Sequence, residues 1–300
     1  MISRIASQAG PRTMLQSIQT ANRDLLIAQE QVTTGRRINR VSDNPADAVS
    51  ALNQRATLRR MEQFSRNAEE AQSWFDAGDA ALSNVSDRLA SARAVLVQAN
   101  SGANDATSRA ALANQLRATR ESILLAANSE RGGRPLFSGN AGGSTAYDAN
   151  GVYQGDNGQV NLPITNGVTL RVNRTGPEVF GTHNASDPTQ GDVFQLLESL
   201  ATAVETGNTA AISAGLGQID AATKTVATAQ VQLGSRAAQL TDLTSSIEDG
   251  KVSLKTGISN KENIDFAEAI INMKTREAAY QAAIQATAKV IQPSLMDFLR

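Results

Sequence analysis

Apolar residues recur at strict seven-residue spacing in two long runs, and no other feature constrains the fold of this 300-residue chain as much. The first run holds Met61, Ala68, Phe75, Leu82, Leu89 and Leu96, with Phe64, Ala71, Gly78, Val85, Ala92 and Ala99 three residues on. The second holds Ile212, Ile219, Val226, Leu233, Leu240, Ile247 and Leu254. A seam held in phase over so many heptads marks one long helix packed along its length. The first run predicts a helix over about 45–100, which at 1.5 Å per residue extends roughly 80 Å. Ser42 or Asp43 can cap its start, Pro45 suits its first turn and Gly102 its end. A shorter helix over about 108–130 carries Leu112, Leu116, Ile123 and Ala127 on one face, with Gly132-Gly133 as its stop. Three such seams can bury one another as a bundle.

Two further helices occupy the ends. One carries Met14, Ile18, Ala21, Leu25, Ala28 and Val32; the other carries Phe266, Ile270, Met273, Tyr280, Ile284 and Ile291, with Glu277 and Thr287 interrupting its stripe. Both stripes are narrow and rich in Ala. A pair of such helices buries little apolar area, and short helices are marginal without packing. Two readings stand: the ends extend the bundle, or they order only when neighbouring copies supply the missing surface.

The middle differs in character. Twelve of the 22 glycines lie between Gly132 and Gly191, with four of the seven prolines and, between Phe137 and Phe194, five of the eleven aromatics. Val160, Leu162 and Ile164 alternate with polar residues, as do Val168, Leu170 and Val172, and Asn166-Gly167 between them is a favoured hairpin turn. The fold class that follows is mainly α: a long-helix bundle built from both chain halves, a small inserted β-rich domain, and terminal helices pairing as a coiled coil. The expected domains are 1–43 with 260–300, 44–135 with 195–259, and 136–194 as a small exposed appendage.

Composition excludes much chemistry. There is no Cys, which removes disulfides, zinc–thiolate sites, iron–sulfur clusters and Cys nucleophiles together. The single His, His183, leaves no multi-His metal site, and its Gly-Thr-His-Asn loop suggests solvent exposure. A formal net charge of -1 gives no bulk attraction to nucleic acid or anionic membrane. No segment reaches the roughly 18–20 apolar residues that span a bilayer, and Met1-Ile2-Ser3-Arg4-Ile5 opens no signal-peptide core. Walker, GxSxG and HExxH motifs are missing. The 139–143 stretch reads as a linker, and Glu69-Glu70 and Glu248-Asp249 as solvated faces, since adjacent helical residues point apart. Asn84, Asn173 and Asn184 open N-x-S/T triplets of a kind common by chance. For Arg36, Arg37 and Arg40 beside Gly35, either a loop-to-helix or intersubunit ion pair or plain solvation fits. No enzyme activity, metal or cofactor is expected.

Several stretches together carry a family resemblance. Thr34-Gly35-Arg36-Arg37-Ile38-Asn39 followed by Ser42-Asp43-Asn44-Pro45-Ala46-Asp47 resembles the signature loop of bacterial flagellins and their hook-associated relatives. Ser65-Arg66-Asn67-Ala68, Gly78-Asp79-Ala80-Ala81-Leu82, Asp265-Phe266-Ala267-Glu268-Ala269 and the closing Pro293-Ser294-Leu295-Met296-Asp297-Phe298-Leu299 are similar to the same family. The opening five residues, the Asp-Asn-Pro after Ser42, Pro135-Leu136-Phe137-Ser138-Gly139, Tyr153-Gln154-Gly155-Asp156 and Gly176-Pro177-Glu178-Val179-Phe180 resemble the hook-associated, junction-type members more than filament subunits.

The resemblance implies a structural subunit of the flagellum outside the cell, exported unfolded through a type III channel and joining hook to filament. Its implied partners are further copies in a ring, the other hook-associated junction protein, flagellin and an export chaperone, with no nucleic acid and no membrane insertion. The absence of Cys suits a chain that crosses between redox compartments. The expected subunit-interface residues are Ile18, Leu25, Val32, Phe266, Ile270, Tyr280, Ile284 and Ile291. The alternatives are a filament flagellin, or a secreted coiled-coil binding or adhesin module.

Overall fold

The computed structural model describes residues 2–101, 104–143, 145–184 and 191–298, with side chains from 12 to 288. Among the described residues, seven helices and four short strands follow in the order α1 (Ile2–Thr34), α2 (Pro45–Ala99), α3 (Ala106–Ala127), β1 (Glu130–Arg131), β2 (Arg134–Pro135), β3 (Asn161–Thr165), β4 (Val168–Arg171), α4 (Gly176–Phe180), α5 (Val193–Thr206), α6 (Thr209–Glu262) and α7 (Phe266–Phe298). The chain forms two compact units, residues 61–249 and residues 1–60 with 250–300.

The larger unit holds the core. The two heptad seams account for most of its α2 and α6 residues: Ala68, Phe75, Leu82, Leu89 and Leu96, with Ile212, Ile219, Val226, Leu233, Leu240 and Ile247, are all buried. Within this unit the two helices run antiparallel, since Ser65 Oγ donates to Glu248 at 3.0 Å and Arg93 bonds Asp220 at 2.7 Å. Leu112, Leu116, Ile123 and Ala127 add α3 to the same core. Asp105 caps α3, accepting from Ser108 N. α5 lies antiparallel on α3, with Arg117 bridging Glu198 at 3.1 Å and Glu205 at 2.8 Å. Burying a Leu or Ile side chain contributes about 1.5–3 kcal/mol, so periodic burial along α2 and α6 dominates stability here.

Two local expectations are corrected. Asn44, not Ser42 or Asp43, caps α2: its Oδ1 accepts from the Asp47 N–H at 3.1 Å, and Pro45 then opens the helix. Gly102 lies outside the described residues. Gly132 and Gly133 do not stop α3, which ends at Ala127 with Asn128 as its cap. They form instead the tip of the β1–β2 hairpin, both at positive φ (58° and 77°).

The β3–β4 hairpin forms where the alternation places it, and Asn166-Gly167 is its turn. Only Gly167 takes a positive φ, and the ladder is irregular between Pro163 and Thr165. The middle segment is less exposed than its composition suggests. Its five aromatics form one cluster: Phe137–Phe180, Tyr147–Tyr153, Tyr147–Phe180, Tyr147–Phe194 and Phe180–Phe194 have ring centroids 4.9–5.7 Å apart. Phe137, Tyr147, Phe180 and Phe194 are buried in the same core as α2, α3 and α6. The 139–143 stretch is tied down as well, because the Asp156 carboxylate accepts from the N–H groups of Asn140 (2.6 Å) and Gly158 (2.8 Å).

Candidate assembly surface

The described residues hold no group of three His, Cys, Asp or Glu placed for a metal ion, and no helix among them is long and apolar enough to cross a membrane. The His183 side chain is only partly exposed, with its Nδ1 3.1 Å from Asp192 Oδ2 and its Nε2 3.2 Å from Gln195 Nε2. Asp192 is buried and caps α5, so the pair fixes a helix start. Asn173 is also buried, accepting from Val160 N at 2.9 Å, which removes it as an exposed acceptor.

The unusual surface lies in the unit made of 1–60 and 250–300. Its buried apolar residues, among those described, are four alanines: Ala28, Ala48, Ala51 and Ala269. Larger apolar side chains remain on the outside, including Leu15, Leu26, Ile27, Leu52, Ile271 and Phe266, the last at 56% exposure. This inverts the usual preference of large apolar residues for the interior.

α1 packs on α7. The pair is antiparallel: Phe266 lies beside Gly35, while Arg276 bonds Asp24 at 2.8 Å further along. Of the eight expected interface residues, Ile18, Leu25, Val32 and Tyr280 are half-buried, and Phe266, Ile270 and Ile284 are exposed. The Ile291 side chain lies outside the described residues. Glu277 and Thr287 are half-buried with Met273 and Tyr280, so these polar residues sit within the paired face of α7. The aliphatic stems of such residues allow this. The large apolar residues of α7 are thereby turned partly away from α1.

Where the chain turns from α1 into α2, a polar network replaces apolar packing. Gly35 ends α1 at φ +69°, the left-handed conformation that suits glycine, and its N–H donates to Gln31 O at 2.9 Å. The Arg37 side chain bonds Asp47 at 3.1 Å and the Lys261 carbonyl at 2.9 Å. Lys261 reaches the same Asp47 at 3.4 Å, Arg40 pairs with Glu30 at 3.1 Å, and Arg55 pairs with the buried Glu262. Arg37 and Arg40 thus take the loop-to-helix pairing that their sequence context allowed. Beside them opens a cleft of about 380 Å³ lined by Gln31, Arg37, Asn263, Asp265, Glu268 and Asn272. Glu262 was not singled out in the sequence, which offers only its proximity to a helix end as a signal, and Asp47 entered only as part of the Ser42–Asp47 motif with no pairing role.

Residues 5–142 match the family described as the bacterial flagellin N-terminal helical region, and residues 216–299 match the bacterial flagellin C-terminal helical region. The chain is 25% identical to flagellar hook-associated protein 3 of Salmonella typhimurium, covering 93% of this chain and 94% of that protein. It is 24% identical to the flagellin FljK of Caulobacter vibrioides, covering 98% and 96%. A solved structure described as a flagellar hook-associated protein from Vibrio parahaemolyticus superposes with a TM-score of 0.67 at 21% identity, covering 74% of this chain and 100% of that one.

Proposed function

The chain belongs to the bacterial flagellin family, and from that premise we propose that it is a junction adapter of the hook-associated protein 3 type, joining the flagellar hook to the filament. Members of this family are structural, and the chain is a non-enzymatic component of the flagellum. The observation that carries the junction reading is the end-to-end similarity to a hook-associated protein 3, spanning nearly all of both chains. The unit with four buried alanines and a coat of exposed Leu, Ile and Phe supports the mode of action. On this reading α1 and α7 gain their missing apolar contacts from neighbouring copies in a ring, and Phe266, Ile270 and Ile284 supply part of that contact. Ile18, Leu25, Val32 and Tyr280 hold the pair together, with Ile291 at its far end.

The division into terminal helices (1–43 and 260–300), bundle (44–135 and 195–259) and middle domain (136–194) is part of the proposal. So are export through a type III channel to the cell exterior and contacts with a second hook-associated protein, flagellin and an export chaperone. A filament flagellin is the second reading, prompted by the nearly equal identity to FljK. Gold-tagged antibody on intact flagella, viewed by electron microscopy, separates the two. A single band where hook meets filament supports the junction reading, and label along the whole filament overturns it.

A further inference from the structure

One charge cluster in the 61–249 unit plays no part in the terminal surface. Arg171 at the end of β4, Arg174 just before α4 and Arg236 on α6 gather around a single carboxylate, Glu178. Arg171 grips it bidentately, Nη1 to Oε1 at 3.0 Å and Nη2 to Oε2 at 2.8 Å. Arg174 Nη1 stands 3.5 Å from the same Oε2, and its Nη2 donates to Gln232. The Arg174 Nε is buried with no acceptor among the described residues. Arg236 donates from Nη1 to the Arg171 carbonyl at 3.2 Å and has no described carboxylate within 4 Å. Burial, and then repulsion by Arg174 and Arg171, lowers the Arg236 pKa. Three guanidiniums against one carboxylate leave an excess of two positive charges in a half-buried site. Unpaired charge in such a place is costly.

The complementary charge lies on the same chain. Between residues 67 and 87, α2 carries Glu69, Glu70, Asp76, Asp79 and Asp87 and no Lys or Arg, and all five acids are exposed. Among the described residues only Glu70 has a cation within 4 Å, Arg131 at 3.9 Å. The two patches therefore do not pair within one molecule.

We propose that the Arg171–Arg174–Arg236 cluster docks acidic side chains from residues 67–87 of α2 in a second copy of this chain. Joining two different patches makes the contact heterologous, so it repeats from copy to copy and closes a ring when the rotation permits. The inference rests on the self-assembling reading above. It adds a charged contact in the other unit that sets register and rejects misaligned neighbours.

The test is sedimentation of the purified full-length chain at low and high salt. The variants are Arg236→Glu, Asp76→Lys with Asp79→Lys, and all three substitutions together. The wild type is expected to associate about tenfold more tightly at low salt, and each charge reversal to lose about tenfold. The combined variant should return to within about threefold of wild type. Arg236→Glu should melt no lower than wild type, because it places a carboxylate beside two arginines where a third guanidinium was repelled. Salt-insensitive association, reversals that associate like wild type, no recovery in the combination, or a lowered Arg236→Glu melting temperature overturns the inference. Antibody label along the filament overturns the junction reading alone and leaves this contact standing.

Discussion

The backbone N–H of Arg37 donates to the carbonyl of Glu262 at 2.6 Å, tying the loop after α1 to the end of α6. Ile264 N returns to Gly35 O at 3.2 Å, so the chain crosses itself through a two-way backbone link. The Arg37 side chain braces that link through Asp47 and the Lys261 carbonyl. Arg37→Ala should cost about 1 kcal/mol, since both bonds are partly solvated. Amide exchange at Arg37's position and at Ile264 should speed up, and unchanged protection there would remove the bracing role.

Ile284 is 43% exposed on α7, and a polar residue can replace it without opening the monomer. Ile284→Asp should leave circular dichroism and melting nearly unchanged, within about 0.5 kcal/mol. It should abolish incorporation into flagella. A large loss of monomer stability would mean that Ile284 serves the fold and not the assembly.

The core predicts the opposite pattern. Leu89 and Ile219 are fully buried, and Leu89→Ala or Ile219→Ala should each cost about 2–5 kcal/mol, read as a shift in the urea midpoint. Leu26→Ala, on the exposed side of α1, should move the midpoint by less than about 0.5 kcal/mol.

Limited proteolysis of the monomer should cut before about residue 40 and after about residue 260 and spare the 61–249 unit, because the terminal pair buries only alanines fully. In assembled flagella the same sites should resist. Resistance of both ends in the free monomer would show that α1 and α7 need no neighbour.

Acid should loosen the middle segment. N–H donation from Asn140, then from Gly158, holds Asp156 below its ordinary value of 3.8. A carboxylate with a lowered folded pKa contributes stability that is complete above the ordinary value and is lost as pH falls through the folded one. Melting temperature should therefore drop below about pH 4. Asp156→Asn should flatten that part of the profile, and an unaltered slope would exclude Asp156 as its source.

The long seams were legible because heptad spacing records burial directly: Leu82, Leu89 and Leu96 are apolar on one face because that face is covered. The hairpin at Asn166-Gly167 was legible for a similar local reason, the chemistry of a two-residue turn. The composition also marked Phe137, Tyr147, Tyr153, Phe180 and Phe194 as a group, without revealing that they pack edge-on and tilted into one cluster. The cap on α2 was missed by one position because Ser42, Asp43 and Asn44 all cap well, and only the Pro45 start selects Asn44.

The surface was harder. The narrow stripes of α1 and α7 identified the helices, yet which apolar residues face the partner depends on the rotation of one helix against the other. That rotation leaves Phe266 and Ile270 outside and draws Glu277 and Thr287 in. The Arg236–Arg171 contact and the Arg55–Glu262 pair likewise join elements whose meeting no local pattern encodes. What the sequence by itself determined was the helices α1, α2, α3, α6 and α7, the buried faces of α2, α3 and α6, and the family to which they belong, because periodicity and motif are local records of burial and backbone geometry; α4 and α5 carry no such record. Only the tertiary structure decided which large apolar and charged side chains were left without partners, because that depends on contacts between residues far apart in the chain.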